Sequence, residues 1–107
     1  MDERFAVVLV TVPDMETGRR LARTVLEARV AACVNLVPGM ESHYWWQGKL
    51  DQSAEVLLLI KTTSDKIGHL ERIVLANHPY DTPELIVLPI TQGTKRYLDW
   101  IEASIKK

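Results

Sequence analysis

One cysteine, Cys33, in 107 residues excludes an intramolecular disulfide and fits a reducing compartment. The three histidines, His43, His69 and His78, are too scattered to make a metal-spaced pair with each other or with Cys33. No apolar run approaches the ~20 residues that cross a bilayer, so no membrane partner is expected. The balance of 13 basic against 14 acidic residues gives a net charge of -1. No basic tract stands out, which removes the electrostatic footprint of a nucleic-acid or anionic-membrane binder. There is no glycine-rich phosphate loop and no G-x-S-x-G elbow. The turn after the first apolar run, Thr11-Val12-Pro13-Asp14, is acidic, which argues against an anion site there, and no enzyme activity is expected. Met1-Asp2-Glu3-Arg4 leads straight into a strand-like run without an apolar leader. The expectation is a cytoplasmic protein with no signal peptide. Linkers, repeats and low-complexity tracts are also missing, so residues 1–107 read as one domain.

What remains is ordinary globular composition, 47% hydrophobic and 25% charged, enough to bury a core without disulfides or metal staples. Phe5 to Val10 is apolar and β-branched without alternation, the pattern of a strand buried on both faces. Pro13-Asp14 stops it, and Asp14 is placed to cap a helix running to about Arg29. In that helix Leu21, Val25 and Ala28 form one stripe with Ala22 and Leu26 beside them. A second strand starts near Ala32, with a bend or bulge expected at Pro38-Gly39, and resumes through Ser42 to Trp46. Gln47-Gly48-Lys49 is a turn signal, and a return strand ends in Val56 to Lys61. A second helix begins near Ser64-Asp65 with Ile67, Leu70 and Val74 on one face, and ends near Ala76. Leu85 to Ile90 is a fourth strand, and Gly93 precedes a last helix aligning Tyr97, Leu98, Ile101 and Ile105.

This order predicts an α+β fold, the ferredoxin-like βαββαβ arrangement with an extended β-hairpin and a C-terminal helix. Its first and third strands are central, and here they are the two most continuously apolar. Pro89 suits the fourth strand because an edge tolerates the missing donor. The two main helices cover one sheet face only. Phe5, Val7 and Leu9 oppose Ala6, Val8 and Val10, while Val56, Leu58 and Ile60 oppose Leu57 and Leu59. One set from each strand lacks a helix. Covering about four such side chains stabilises by roughly 6–12 kcal/mol, at ~1.5–3 each. That matches the whole stability of a typical domain, about 5–15 kcal/mol. The pattern therefore asks for a homo-oligomer unless the C-terminal helix covers the open face.

Functional residues are expected at His78-Pro79-Tyr80-Asp81-Thr82-Pro83-Glu84, where two prolines stiffen a loop bearing an imidazole, a phenol and carboxylates. Ser42, Tyr44 and Trp46 share one hairpin face, with His43 and Trp45 on the other. Tyr44 and Trp46 then line a pocket between subunits or anchor an interface, and both readings are compatible. Glu55 and Lys61 flank Leu57 and Leu59. Lys61 is a candidate for anion binding or for an ion pair between subunits. His78 is a candidate metal ligand or a pocket-lining structural residue. Cys33 reads as an inert core thiol.

Ala31-Ala32-Cys33-Val34-Asn35, Pro38-Gly39, Ser42-x-Tyr44-x-Trp46-x-Gly48, Glu55, Leu58-x-Ile60-Lys61-Thr62, His78-Pro79-Tyr80, Pro83-Glu84 and Tyr97-x-x-Trp100-Ile101 occur in this order. Together they closely resemble the CutA family of divalent-ion tolerance proteins, from Phe5 to Ile105. The resemblance implies a ferredoxin-like subunit in a homotrimer similar to the PII signalling proteins. It also implies a cytoplasmic role in tolerance to divalent metals, copper above all. The implied copper positions are Val10, Asn77 and His78. Some members have Cys and His at the first two, and this chain keeps only His78. Glu84 is then the nearby carboxylate, and His78 with Glu84 is the expected contact set for weakly bound Cu(II) or another divalent cation, not required for folding. The expected intersubunit ligand cleft comprises Tyr44, Trp46, Lys61, His78, Tyr80 and Glu84. An alternative is a PII-like sensor that binds a small effector and a protein partner, with no metal role.

Overall fold

The structure, a computed structural model, describes residues 4–106. Met1–Glu3, on which the expectation about a leader rests, lie outside the described residues. The elements are β1 (Phe5–Val12), α1 (Met15–Glu27), β2 (Cys33–Trp46), β3 (Lys49–Thr63), α2 (Ile67–Asn77), β4 (Leu85–Pro89) and α3 (Lys95–Ile105), with a 3-10 turn at Ser64–Lys66 before α2. The sheet order is β2-β3-β1-β4, with antiparallel neighbours throughout. The ferredoxin-like order, the central β1–β3 pair and the edge position of Pro89 are as the sequence predicts. Among the described residues, no helix is long and apolar enough to cross a membrane.

Local chemistry sets the element ends. Asp14 Oδ1 accepts the Thr17 N–H at 2.7 Å and caps α1. That hydrogen bond holds the Asp14 carboxyl below its ordinary range. At the other end Arg29 N–H donates to the Leu26 carbonyl and Val30 N–H to the Val25 carbonyl. This pairing is a Schellman motif with Arg29 in the left-handed region at φ 59°. Glycine normally fills such a position. Here the Arg29 guanidinium instead donates to the Ser104 carbonyl at 2.8 Å and ties α1 to the end of α3.

The hairpin has two special points. Val37 pairs with Leu57, but Met40 pairs with Glu55, so β2 holds one extra residue around Gly39, whose φ is 82°. This is the bulge expected at Pro38-Gly39. Because side chains alternate, the extra residue moves every later β2 side chain to the opposite face. The turn itself has Gln47 at φ 50° and Gly48 at φ 80° between the paired Trp46 and Lys49. Two positive φ values make it type I′, whose twist matches that of the flanking strands.

The core lies between the sheet and α1 and α2. Val8, Val10 and Val12 of β1 and Val56, Leu58 and Ile60 of β3 meet Leu21 and Val25 of α1 and Leu70 and Val74 of α2. The opposite sheet face carries two rows across the strands: Cys33, Lys61, Val7 and Leu88, then Asn35, Leu59, Leu9 and Ile86. α3 packs on one end of it, over Phe5 through Ile101 and Ile105 and against β3. Val37, Ile86 and Leu88 stay 44%, 47% and 45% exposed, so the C-terminal helix does not close this face. Two sequence readings need correction. Cys33 is half-buried on this open face, not in the core, because it alternates with the inward Val34. Tyr97 leaves the buried stripe of α3 and stacks on Trp100, with ring centroids 5.5 Å apart.

Arg29 offers a test of the α1 terminus. Arg29→Ala loses the tether to α3 and keeps the left-handed strain. Arg29→Gly loses the tether and relieves the strain, so it is expected to be more stable than Arg29→Ala by about 1 kcal/mol. Denaturant unfolding of the two variants measures this, and equal midpoints would show that the strain is absent.

Candidate functional site

The segment 78–84 folds back over the end of β1, beside the base of the hairpin. His78 ends α2 in extended backbone, φ −93° and ψ 137°, as its position before Pro79 requires. β4 begins opposite Val10, so Thr11 lies one step beyond that ladder. The His78 ring takes its place: Nε2 is 2.7 Å from the Thr11 carbonyl oxygen, and Nδ1 is 3.1 Å from the Tyr80 backbone nitrogen. A carbonyl only accepts and a backbone N–H only donates. Nε2 therefore carries the hydrogen and Nδ1 accepts, which defines the tautomer.

Tyr80 follows from this clamp. Its ring packs against the His78 ring at 4.8 Å, and its hydroxyl donates to Glu55 Oε2 at 2.9 Å. Burial chiefly, and then the bond to Glu55, push the phenol up to about 12. Glu55 itself is only 8% exposed. It lies beneath Tyr80.

Between hairpin and loop lies a cleft of about 460 Å³. Tyr44, Trp46, Asp51 and Glu55 form the hairpin wall, and Thr11 lies at the end of β1. Pro79 to Thr82 and Glu84 form the loop wall. The Tyr44 hydroxyl donates to Ser53 Oγ at 3.1 Å, which steadies the ring. The structure therefore brings together Tyr44, Trp46, Tyr80 and Glu84. His78 sits behind the loop wall. Lys61 is not part of the cleft: it pairs with Val7 and Cys33, six residues along β3 from Glu55 or about 20 Å at ~3.3 Å per residue. Its ammonium donates to Asn35 Oδ1.

The implied metal positions do not converge. Val10 is fully buried in the core, and Asn77 donates its side-chain amide to the Ile73 carbonyl at 2.8 Å. Both His78 nitrogens are occupied, and no three His, Cys, Asp or Glu side chains among the described residues are grouped to hold an ion. A single chain does not fit a bound divalent cation at His78 and Glu84. Sequence reasoning missed the Thr11 carbonyl and Asp51. The two-residue turn pairs Tyr44 with Asp51, so counting back from it would have found Asp51.

Tyr80 generates a pH prediction. A phenol raised in the fold from 10.0 to about 12 favours the protonated folded state. Its contribution is complete below pH ~10 and is lost as pH rises towards ~12. Tyr80→Phe should be less stable than the parent at pH ~8, with the gap narrowing above pH ~10. Urea unfolding at pH 8 and pH 11 measures it, and a constant gap would remove Tyr80 as the titrating group.

Comparison with known proteins gives a consistent result. The sequence pattern of the family described as CutA1 divalent ion tolerance protein matches residues 6–104. The "Divalent-cation tolerance protein CutA" of Thermus thermophilus is 50% identical over 95 residues, 89% of this chain and 92% of that protein. "Protein CutA 1, chloroplastic" of Oryza sativa is 50% identical over 101 residues, 94% of this chain. The chain spans little more than half the length of the plant relatives, 57% of the rice protein and 55% of that from Arabidopsis thaliana. Among solved structures, the periplasmic divalent cation tolerance protein CutA of Archaeoglobus fulgidus superposes with a TM-score of 0.92 at 36% identity, covering 95% of this chain and 99% of that one. With the motifs in order and the same fold, the chain belongs to the CutA1 divalent ion tolerance family.

Proposed function

We propose that this protein serves divalent-cation tolerance as a cytoplasmic homotrimer of one-domain subunits, without catalysis, and that the cleft between hairpin and loop is its ligand site. One observation carries the reading: the cleft opens on the same sheet face as Leu9, Leu57 and Leu59, a face that α3 covers at one end only. A second copy seated there would cover the apolar rows and wall the cleft. Tyr44, Trp46, Tyr80 and Glu84 are the proposed ligand contacts. Lys61, on the same face, would serve the subunit interface or a neighbour's cleft. His78 is the positioning residue of the loop.

The family name invites Cu(II) or another divalent cation at His78 and Glu84. The hydrogen bonds of His78 favour a small ligand over a metal at this position. They also favour a second reading, a PII-like sensor signalling to a protein partner. A loop tied through both ring nitrogens to β1 and Tyr80 couples the content of the cleft to the sheet.

Sedimentation equilibrium at low micromolar concentration should give about three times the 12.2 kDa chain mass. A well-folded monomer would sink the assembly and, with it, the intersubunit cleft. Calorimetric Cu(II) titration of the parent, His78→Ala and Glu84→Gln should show no loss of sites in the variants. Loss of a site in both would restore the metal reading.

A further inference from the structure

We infer that α3 is a strap, a hinged unit that lifts off the sheet while the core stays folded, and that Arg29 latches it in place. The inference is independent of the cleft. Its first support is that α3 is buried apart from the rest. The core shared by β1, β3, α1 and α2 contains no α3 residue. Ile101 and Ile105, the two buried residues of α3, join Phe5 in a second cluster with Ala32, Ile90 and Leu98 packed against it. Among the described elements, β3 alone meets α3 extensively. Units with few buried apolar contacts are the ones that open below the global unfolding free energy.

The second support is that α3 has little helical stability of its own. It is 11 residues long, and a helix of that length is marginal in water by itself. Thr94 supplies no side-chain cap. The first turn carries Lys95 and Arg96 and no acid, the wrong charge for that end of the helix dipole, and Lys95 turns to Asp99 at 2.7 Å. Residues 91–94 before it are exposed irregular chain, following the bond from the Ile90 N–H to the Phe5 carbonyl. They are placed to act as the hinge. The far end is fastened instead. The Arg29 guanidinium donates to the Ser104 carbonyl at 2.8 Å, from a backbone position at φ 59° that glycine would fill without strain. The side chain that glycine lacks is the one that makes the fastening. Tyr97 adds a contact with Cys33 of β2, and burial first, then Cys33, raises its phenol. Lifting α3 breaks both contacts and bares Phe5, which continues the row of Val7 and Leu9 on the open face. The strap therefore sets how much apolar surface that face offers.

The test is native-state hydrogen exchange read by mass spectrometry on the full chain in its native assembly, with alkylation of Cys33, the one thiol, by N-ethylmaleimide. The amides of Leu98 to Ile105 should exchange together, at least about tenfold faster than those of β1 and β3 after correction for intrinsic rates. Arg29→Gly removes the latch and relieves the strain. It should speed α3 exchange and Cys33 alkylation alike by about fivefold, with β1 and β3 exchanging no faster. Exchange of α3 as slow as that of β1 and β3 would overturn the strap, and the parent chain answers this even if the variant fails to fold. Acceleration of every element together in Arg29→Gly would reduce Arg29 to general stabilisation and overturn the latch, as would an unchanged α3. Faster α3 exchange with unchanged Cys33 alkylation would mean that the helix end frays without lifting, and would overturn the hinged unit.

Discussion

The central pair of strands is apolar on both faces, and two helices can cover only one of them. Every larger feature of this chain depends on that imbalance. Val8, Val10, Leu58 and Ile60 satisfy the helix side and make a dry core with Leu21, Val25, Leu70 and Val74. Val7, Leu9, Leu57 and Leu59 then face the other way, flanked on β4 by the exposed Ile86 and Leu88. α3 covers only the end of that face near Phe5 and the adjoining part of β3. The face cannot be made polar without removing the continuous apolar character that keeps β1 and β3 in the middle of the sheet. A surface of this kind is the physical basis of the proposed assembly, which would put the proposed ligand cleft at a border between subunits.

The bulge connects the same face to the site. Up to Val37 the odd-numbered residues of β2 share the face of Leu57. After one extra residue the even-numbered Tyr44 and Trp46 do so. With a regular strand, His43 and Trp45 would occupy the cleft side, and Tyr44 and Trp46 would point away. The loop wall is set by a separate device. Its two prolines limit the backbone, and the His78 ring fastens it to the Thr11 carbonyl and the Tyr80 N–H. Tyr80 is thereby brought over Glu55, so that hairpin and loop meet through one phenol–carboxylate bond. The cleft is the space these two supports leave open.

The fold was legible because its signals are local and agree. Periodicity marked the strands and helices, Asp14 marked a cap, and Pro38-Gly39 marked the bulge. The element order left few topologies, and the apolar strands identified the centre. The site was legible only by type. Tyr44, Trp46, Tyr80 and Glu84 do meet, since alternation along the hairpin and the stiffness of the proline-framed loop are visible in the residues. Lys61 lies apart from them within one chain, because sharing a face says nothing about distance along a strand as long as β3. Glu55 was undervalued for the same reason: its burial depends on Tyr80, twenty-five residues away, arriving above it. The Thr11 contact is made through a backbone carbonyl, and no side-chain pattern announces it.

His78 shows how a motif residue can change meaning within its fold. An imidazole in a stiff loop beside a carboxylate has the ingredients of a metal contact. Ligation requires a nitrogen lone pair directed at the ion. In this chain one nitrogen bears the hydrogen given to Thr11, and the other spends its lone pair on the Tyr80 N–H. With Val10 in the core and Asn77 bonded within its own helix, nothing compensates for that loss. The carboxyl groups that remain around the cleft are dispersed over two walls and backed by aromatic rings. That dispersal gives a compact ion no point at which several donors meet among the described residues.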